Sequence, residues 1–526
     1  MKKLLSILLV ITLLAGGLSG ISLPTAEASP IGTTYYISSS TGNDTNSGTS
    51  WDAPWRSFAN VNYLRLTAGD RVLLKRGDIW NERLTIHGNG TADHWVYVGP
   101  YGDINANMPT ISLSNGRNDI CIVAQDLIPE EPYNNWLNYI WIDNIQMKNS
   151  RMGFYARYQV SNNNHGLKVT DCRFENIRCD QVFQALAADE ENTTQELGMA
   201  KGNLDYFSAG VYYPTGGGSM EYLWPAAITV GGIVGGIKAG TPHANRVSDI
   251  TMERIEMENC SYGISALAYN AHLGGGMNAC FEYTKNWKIN DISMSGGFTM
   301  LNFDSADFGW DGTGTWGVFS NLRSLSGEPT LPLFTGTTMF FLANAKNLVV
   351  RDSQFNHCRN NGSPDGCGID FENNVHNVTI QDSVIANNQG QGILIMNHYF
   401  EDIDHGPLYD YCSDIRIQNC LFYNNLWSVW SATYKYDCLI MNDNNQRVYI
   451  QNNHFIFRER TAGAASVLIN SRRPNVFEFQ PYGARTEGVI QSGNTFQRTS
   501  SPGPLDQAIA AKGLQNSSKG FTIQQK

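Results

Sequence analysis

The sequence has little charge for its length of 526 residues, since 16% of them are charged against roughly 25% in typical soluble proteins. Its 37 Lys and Arg residues against 48 Asp and Glu residues give a net charge of −11, which excludes a broad basic surface for nucleic acid. Proline is also scarce, with 18 residues, whereas glycine is abundant, with 51. The hydrophobic fraction of 42% excludes a disordered chain. These proportions predict a large β-rich protein with polar but uncharged turns.

Beyond its first thirty residues the chain has no apolar run long enough to span a bilayer. At the N-terminus two lysines precede an apolar run over 4–18, and Ala26 and Ala28 supply the small residues of a cleavage site. This layout is typical of a secretory signal peptide, whereas a spanning helix needs about 20 apolar residues. The sequence predicts cleavage after Ala28 and a secreted, extracellular protein. The next most apolar segment, 226–240, is rich in glycine and is predicted to be a buried loop.

The ten cysteines include no Cys-x-x-Cys pair, so neither zinc binding nor redox chemistry is indicated. Export would place them where disulfides form. Cys358 and Cys367 flank one loop, and Cys412 and Cys438 flank another, so each pair would close a loop if it were oxidised. Three other cysteines lie within strand-like segments, where a small buried residue is expected: Cys172, Cys260 and Cys420.

A short pattern repeats loosely from residue 140 onward. Each copy has two apolar residues separated by one other residue, then a polar pair, then further alternation. Alternation with a period of two predicts β-strands. Some copies begin 30 to 37 residues apart, which is within the range of solenoid repeats. The copies lie at 140–149, 167–176, 250–259, 287–294, 348–356, 378–387, 415–424 and 448–455.

Stacking of these copies would give each coil a hydrophobic core that it cannot form alone. Equivalent residues of successive coils would then align in columns about 4.8 Å apart. Asparagine, which tolerates left-handed backbone, recurs at the turns. A β-sandwich is the alternative, but its Asn-Gly type hairpin turns fall mostly outside the repeats. The sequence therefore predicts an all-β, single-stranded, right-handed parallel β-helix over 29–500, after a signal peptide over 1–28 and before a C-terminal tail over 501–526. The turn asparagines are Asn149, Asn176, Asn259, Asn387 and Asn424.

Three stretches resemble secreted bacterial β-helix enzymes. They are 35–55, which begins Tyr-Tyr-Ile-Ser-Ser-Ser-Thr-Gly; 68–78, which reads Ala-Gly-Asp-Arg-Val-Leu-Leu-Lys-Arg-Gly-Asp; and 368–380, which begins Gly-Ile-Asp-Phe-Glu. The resemblance covers nearly the whole mature chain. It implies a pectin-lyase-like solenoid with long loops walling a groove, and membership of the glycoside hydrolases or polysaccharide lyases of that class. It supplies no complete set of catalytic residues.

The segment 368–372 places two carboxylates two residues apart. In a strand, Ile369 and Phe371 share one side while Asp370 and Glu372 share the other. If the apolar pair faces inward, both carboxylates face outward, with attachment points roughly 6.6 Å apart. Inverting glycosidases hold their carboxyl groups about 6.5–9.5 Å apart and retaining ones about 5–5.5 Å. Because paired carboxylates also push their pKa values apart, Asp370 and Glu372 are candidate acid and base, although a solvated surface pair is the alternative.

A second acidic group lies at 302–314, in a glycine-rich loop. Asp304 would be catalytic if its coil lies close to that of Asp370. Asp307, Trp310 and Asp311 are candidate substrate-binding residues, because aspartates bind sugar hydroxyls and an indole packs against the apolar face of a sugar ring. Turn-forming aspartates beside a core tryptophan are the alternative.

The stretch 398–414 interrupts the repeat with acidic and aromatic residues. It would wall the groove and bring His398 to the substrate, while Trp430 and Tyr434 in the next coil would stack on sugar rings. The long excursion over 187–245 would be a second wall, since loops of that length are usually functional. Calcium, though not expected to be required, would be bound through oxygen ligands by four aspartates: Asp402, Asp404, Asp410 and Asp414.

Three functions remain open from the sequence. The favoured one is a glycoside hydrolase that cleaves a polysaccharide or oligosaccharide by carboxylate acid and base catalysis and acts as a monomer. The second is a calcium-dependent polysaccharide lyase acting on uronates, which the net negative charge would attract poorly. The third is a non-catalytic carbohydrate-binding surface protein. Bases for the lyase would be Lys346, Arg351, Arg359 or Lys435.

Overall fold

A computed structural model describes most of the repeat region. The described residues are 31–113, 120–125, 137–150, 152–158, 163–177, 211–216, 219–223, 226–233, 246–258, 260, 262–269, 284–295, 299–301, 338–343, 346–356, 367–372, 375–388, 391–395, 398–402, 406–410, 412–425, 440–442, 446–458, 469–470, 489–514 and 522–525.

The strands of successive coils pair to form three faces of a solenoid, and nearly all of the described pairs are parallel. Face one consists of β1 (Thr34–Ile37), β3 (Arg71–Lys75), β6 (Val96–Tyr101), β10 (Ile140–Asp143), β13 (Asn163–Thr170), β18 (Arg246–Glu258), β20 (Thr284–Ser295), β23 (Lys346–Arg351), β26 (His376–Gln381), β31 (Ser413–Gln418), β34 (Gln446–Gln451), β37 (Val489–Ser492) and β39 (Thr522–Gln525).

Face two follows face one within each coil, and β18 and β20 continue into it. Its other strands are β4 (Ile79–Trp80), β7 (Thr110–Ser112), β11 (Gln146–Ser150), β14 (Arg173–Ile177), β24 (Gln354–Asn356), β27 (Val384–Ala386), β32 (Leu421–Tyr423), β35 (His454–Arg458) and β38 (Thr495–Thr499).

Face three closes each coil. It consists of β2 (Arg65–Thr67), β5 (Leu84–Asn89), β8 (Ile120–Gln125), β12 (Met152–Arg157), β17 (Ala226–Ile233), β19 (Tyr262–Tyr269), β21 (Thr299–Leu301), β22 (Thr338–Ala343), β25 (Cys367–Glu372), β28 (Ile393–Ile395), β33 (Ile440–Asn442) and β36 (Ile469–Asn470). The short β9 (Leu137–Asn138) pairs with the end of β5 in this sheet. Outside the faces are the hairpin of β15 (Val211–Gly216) and β16 (Ser219–Leu223), the hairpin of β29 (His398–Asp402) and β30 (Gly406–Asp410), a 3-10 turn (Val61–Tyr63) and the helix α1 (Leu505–Lys512).

The core lies between the three faces and is built by the predicted alternation. Ile140, Leu167 and Ile250 occupy one register column on face one, and all three are fully buried. Burial of a side chain of this size contributes about 1.5–3 kcal/mol. One continuous cluster of such residues runs from Ile37 to Phe457. The parallel pairing and shared core confirm the predicted all-β parallel β-helix.

One residue with left-handed backbone makes the bend between face one and face two. The non-glycine residues at this bend have φ between 50° and 55°, and in several coils they are Asn or Asp, residues that tolerate this conformation. The bend therefore has the same length in the coils that show it. Its residues are Asn144, Asp171, Arg254, Asp352, Asp382, Asn419 and Asn452.

The turn asparagines at the end of face two have the predicted left-handed conformation. Asn149, Asn176, Asn387 and Asn424 have φ between 51° and 56°. Side-chain amides link them from coil to coil, as in the bond that Asn424 Nδ2 donates to Asn387 Oδ1 at 2.9 Å. Asn259 lies outside the described residues.

The three cysteines predicted to be small core residues are buried. Cys172 follows the bend residue Asp171, Cys420 follows Asn419, and Cys260 follows the end of β18. Burial raises the pKa of Cys172 and of Cys420 to about 12, so neither is a reactive thiolate at neutral pH. Cys367 and Cys412 are buried too. Their predicted partners Cys358 and Cys438 lie outside the described residues, so the two disulfides remain predictions.

Two parts of the chain are more ordered than the sequence indicates. The prediction of a loop over 226–240 is wrong for its first half, because Ala226–Ile233 is β17, with Ala226 to Val230 buried in face three. Glycines within this strand hid its pattern. Likewise the tail over 501–526 contains α1, whose Ile509 packs against outward side chains of face two. Of the helices described, none has the length and apolar character to cross a bilayer.

Candidate functional site

The outer side of face three is covered along much of its length. Val123, Tyr155, Thr229, Asp370 and Leu394 alternate with core residues and so point away from the core. They are nonetheless at most 4% exposed. Register links them in one line, with Ser265, Met300 and Phe341 supplying the rungs between Thr229 and Asp370. We call this line the outer column.

Asp370 holds a carboxyl group in the outer column. Ile369 and Phe371 on either side belong to the core, which confirms the predicted alternation. Asp370 itself is fully buried, unlike a carboxylate on an open sheet surface. Glu372 ends the same strand and pairs with Ala343, and its side chain lies outside the described residues. The strand therefore presents Asp370 in a covered environment on the side that sequence predicted.

Asp304 follows a strand that lies close to Asp370. β21 ends at Leu301, and Met300 is two rungs from Asp370 in the outer column. Two rungs separate the corresponding Cα atoms by about 10 Å, and three residues of extended chain span a similar distance. Asp304 lies outside the described residues, as do Asp307, Trp310 and Asp311. The described chain before them therefore ends close to the coil of Asp370, and the roles of the four residues remain predictions.

Within 398–414, β29 and β30 form a hairpin that holds two of the four predicted calcium ligands apart along its strands. His398 and Asp410 pair at its base, whereas Asp402 pairs with Gly406 at its tip. Asp402 and Asp410 are therefore separated by about 13 Å along the strands. Asp414 accepts bonds from Arg447 at 2.6 and 2.7 Å, which lower its pKa.

Other predicted residues of this region fall outside the described chain: Asp404, Trp430 and Tyr434. The side chain of His398 is likewise outside it. Within the described ranges, no group of three or more His, Cys, Asp or Glu side chains is arranged to hold a metal ion.

Three polar residues on the outer side of face three were not found by sequence reasoning. His87, Gln125 and Arg157 are at most 8% exposed, and Gln125 and Arg157 are register partners. Burial lowers the pKa of His87, and Arg65 lowers it further, while hydrogen bonds to the backbone of Gln125 and Asn62 oppose the shift. In the sequence, each of these residues can be recognised only as a polar residue two positions after an outward-facing residue of β5, β8 or β12. Such a signal gives no indication of burial.

A cavity of about 550 Å³ lies on other faces, outside the bend between face one and face two. Arg254 donates two bonds of 2.8 Å to Asp171 across it, and this pairing raises the pKa of Arg254. Arg173 and Glu256 are register partners on its face-two side. The Asp171 carboxylate is paired with the guanidinium group of Arg254. This cavity is therefore a less suitable place for an acid and base pair than the outer column, which contains Asp370.

The candidate bases for a lyase do not converge in the described chain. Arg351 is exposed on face one and pairs with Asp352 at 2.7 Å, as expected for a solvated residue. Lys346 begins the same strand, on a face other than that of Asp370. Arg359 and Lys435 lie outside the described residues.

The chain is similar to known proteins over part of its sequence and in its fold. Over 96 residues the chain is 44% identical to lacto-N-biosidase of Bifidobacterium longum subsp. longum. This stretch is 18% of the chain and spans only 6% of the length of that relative. No family model matches the chain.

Among solved structures, the GH136 lacto-N-biosidase from Eubacterium ramulus, as its selenomethionine derivative, superposes with a TM-score of 0.53. Sequence identity is 14%, and the match covers 89% of this chain and 68% of that one. An alginate lyase from Paenibacillus sp. str. FPU-7 matches with a TM-score of 0.31 and 9% identity, over 89% of this chain and 97% of that one. The chain therefore has the parallel β-helix fold that a solved carbohydrate-active enzyme also has.

Proposed function

We propose that the protein is a glycoside hydrolase that acts on an oligosaccharide, with lacto-N-biosides as the first substrates to test. The observation that carries this proposal is the 44% identity to a lacto-N-biosidase over 96 residues. The fold shared with a second lacto-N-biosidase supports it. We place the activity at the covered carboxyl group of Asp370 on face three as part of this proposal.

In this proposal Asp370 and Glu372 form the acid and base pair. Their attachment points are about 6.6 Å apart along the strand, near the lower limit for an inverting pair. Asp304 is the third catalytic candidate, because β21, which ends three residues before it, lies two rungs from Asp370. Asp307, Trp310, Asp311, His398, Trp430 and Tyr434 would bind the sugar. A covered site suits hydrolysis because exclusion of bulk water strengthens the interactions of charged groups.

The test is hydrolysis of a nitrophenyl glycoside of lacto-N-biose by the wild type and by single variants. We expect Asp370→Asn, Glu372→Gln and Asp304→Asn each to lower kcat by about 10²- to 10⁴-fold, since general acid or base catalysis contributes that much. Glu256→Gln is the matched control, because Glu256 is an exposed carboxylate on face two, and it should leave kcat unchanged.

Thermal unfolding of each variant separates a catalytic loss from a loss of structure. Full activity in both Asp370→Asn and Glu372→Gln would remove this pair from the mechanism. If the wild type instead gave an unsaturated product with rising ultraviolet absorbance on uronate polysaccharides, the protein would be a lyase. Binding without turnover on a panel of neutral and acidic glycans would favour a binding protein.

We also propose that the enzyme is exported, acts as a monomer and needs no metal ion. Cleavage after Ala28 would give a mature chain that begins at Ser29, which N-terminal sequencing of the secreted protein checks. Activity that survives EDTA would support metal independence, whereas activity restored only by Ca²⁺ would contradict it. The molar mass by light scattering tests the oligomeric state.

A further inference from the structure

The last described segment of the chain lies within face one, far from its place in the sequence order. β39 pairs with β20 on one side and with β23 on the other, and both pairings are antiparallel. The other pairs described on face one are parallel. The C-terminal strand is therefore inserted between two coils of the solenoid.

Comparison of the faces shows which rung β39 occupies. On face three, β21 and β22 are paired neighbours, and the chain between them is 302–337. On face one, the strands of the flanking coils are β20 and β23, and β39 lies between them. Face three therefore contains two successive strands from this part of the chain, β21 and β22. On face one, residues 522–525 occupy the rung between β20 and β23.

A rung left open at this position would expose the backbone groups of two strands. β23 pairs with β39 over four residues, from Leu348 with Gln525 to Arg351 with Thr522. Without β39, the backbone N–H and C=O groups of β23 that pair with it would lie unpaired at an open sheet edge. Such an edge readily binds another extended segment. Leu348 and Val350 are fully buried core residues, so the open edge would also adjoin the core.

We propose that the gap between β20 and β23 is a strand-acceptor site for the C-terminal segment of this chain. Filling it gives both β20 and β23 a paired strand, and these two strands come before and after 302–337 in the sequence. The effect on activity rests on the proposed function, because 302–337 contains Asp304 and Asp311. The strand pairing itself does not depend on it.

The chain is long enough to reach this site from α1. The Lys512 ammonium group donates a 2.7 Å bond to the carbonyl oxygen of Asn452, which directly follows β34. Three rungs separate β34 from β23 on face one, about 14 Å along the solenoid. The residues from Leu514 to Thr522 span up to roughly 28 Å when extended.

The test is hydrogen exchange of the full-length protein, read by mass spectrometry of its peptides. Wild-type amides of 522–525 should exchange at least tenfold more slowly than those of the free peptide 517–526. Ile523→Asp should abolish this protection and speed exchange in 346–351, because Ile523 shares the register of the buried Val350. Gln524→Asp is the matched control, since Gln524 pairs with the half-buried Val349, and it should retain the protection.

Adding the synthetic wild-type peptide 517–526 to the Ile523→Asp variant should restore protection of 346–351, and the same peptide carrying Ile523→Asp should not. Free-peptide exchange of the wild-type tail would overturn the proposal, as would indistinguishable protection in the two variants. Hydrolytic activity, measured in parallel, should fall in Ile523→Asp and recover with the peptide. If exchange behaves as expected on a protein that hydrolyses no glycan, the acceptor site stands and the proposed function fails.

Discussion

At the scale of single residues, buried polar groups on face three are the informative ones. Asp370 and His87 are both withdrawn from solvent, although each lies on the side of its strand away from the core. Polar groups are costly to bury without hydrogen bonds or a charge partner. Their burial on the outer side of face three therefore marks this surface as a covered one.

His87 should make the stability of the protein depend on pH. Its pKa in the folded state lies below the ordinary value of about 6.5. The unfolded chain therefore binds a proton first as pH falls, so the stability that neutral His87 allows is present above about pH 6.5 and is lost below it. Urea unfolding at about pH 7.5 and about pH 5.0 should show a smaller drop for His87→Gln than for the wild type. An equal drop in both proteins would contradict this assignment.

At the scale of structural elements, an internal asparagine ladder ties face two to the bend. Asn453 is 1% exposed. It donates to the carbonyl of Ile417 at 2.9 Å and accepts from the backbone N–H of Cys420 at 2.8 Å. Asn494 forms the same kind of link in the next coil, since it donates to the carbonyl of Ile450 at 2.8 Å and accepts from the backbone N–H of Asn453 at 3.0 Å. Each rung of the ladder satisfies backbone groups that the bend removes from the sheet.

Asn453→Ala should lower the free energy of unfolding by about 1–3 kcal/mol, because it leaves buried backbone groups without a partner. Gln497→Ala is a suitable control, since Gln497 is exposed on the neighbouring β38, and it should change stability by less than about 0.5 kcal/mol. Urea unfolding monitored by tryptophan fluorescence provides the measurement. Equal effects of the two substitutions would show that the ladder does not contribute.

At the scale of the whole molecule, the corners of a coil differ in how much their length can vary. Where the bend residue between face one and face two is Asn or Asp, two residues separate the strands in every such coil, and one of them has left-handed backbone. The corner between face three and face one ranges from two residues, between β22 and β23, to eighteen, between β36 and β37. In these coils the number of residues is therefore constant at the bend, whereas it varies widely at the corner between face three and face one.

Two glycines inserted after Asn144 should lower the free energy of unfolding by on the order of 4 kcal/mol, because β11 would slip against β7 and β14. The same insertion within 234–245 should cost less than about 1 kcal/mol, since loop closure depends weakly on length. Urea unfolding of both variants tests this contrast. Equal decreases in the free energy of unfolding for the two insertions would contradict the prediction.

The repeated alternation, the turn asparagines and the stacking of coils could be predicted because each is a local pattern. Ile369 and Phe371 face the core as their alternation requires. The complete burial of Asp370 could not be predicted, because it depends on whatever lies over face three. The pairing of β39 was equally hidden, since four residues at 522–525 meet partners more than 170 positions earlier.

The fixed bend has a consequence for how this protein can diversify. Because the coils with this bend enter face two at the same point of the repeat, a change in the loop of one of them does not shift the register of the next. Each coil is in this sense a separate module on a common frame. The surface above face three could therefore be rebuilt by exchange of loops between related chains, while the frame that carries Asp370 stays in place.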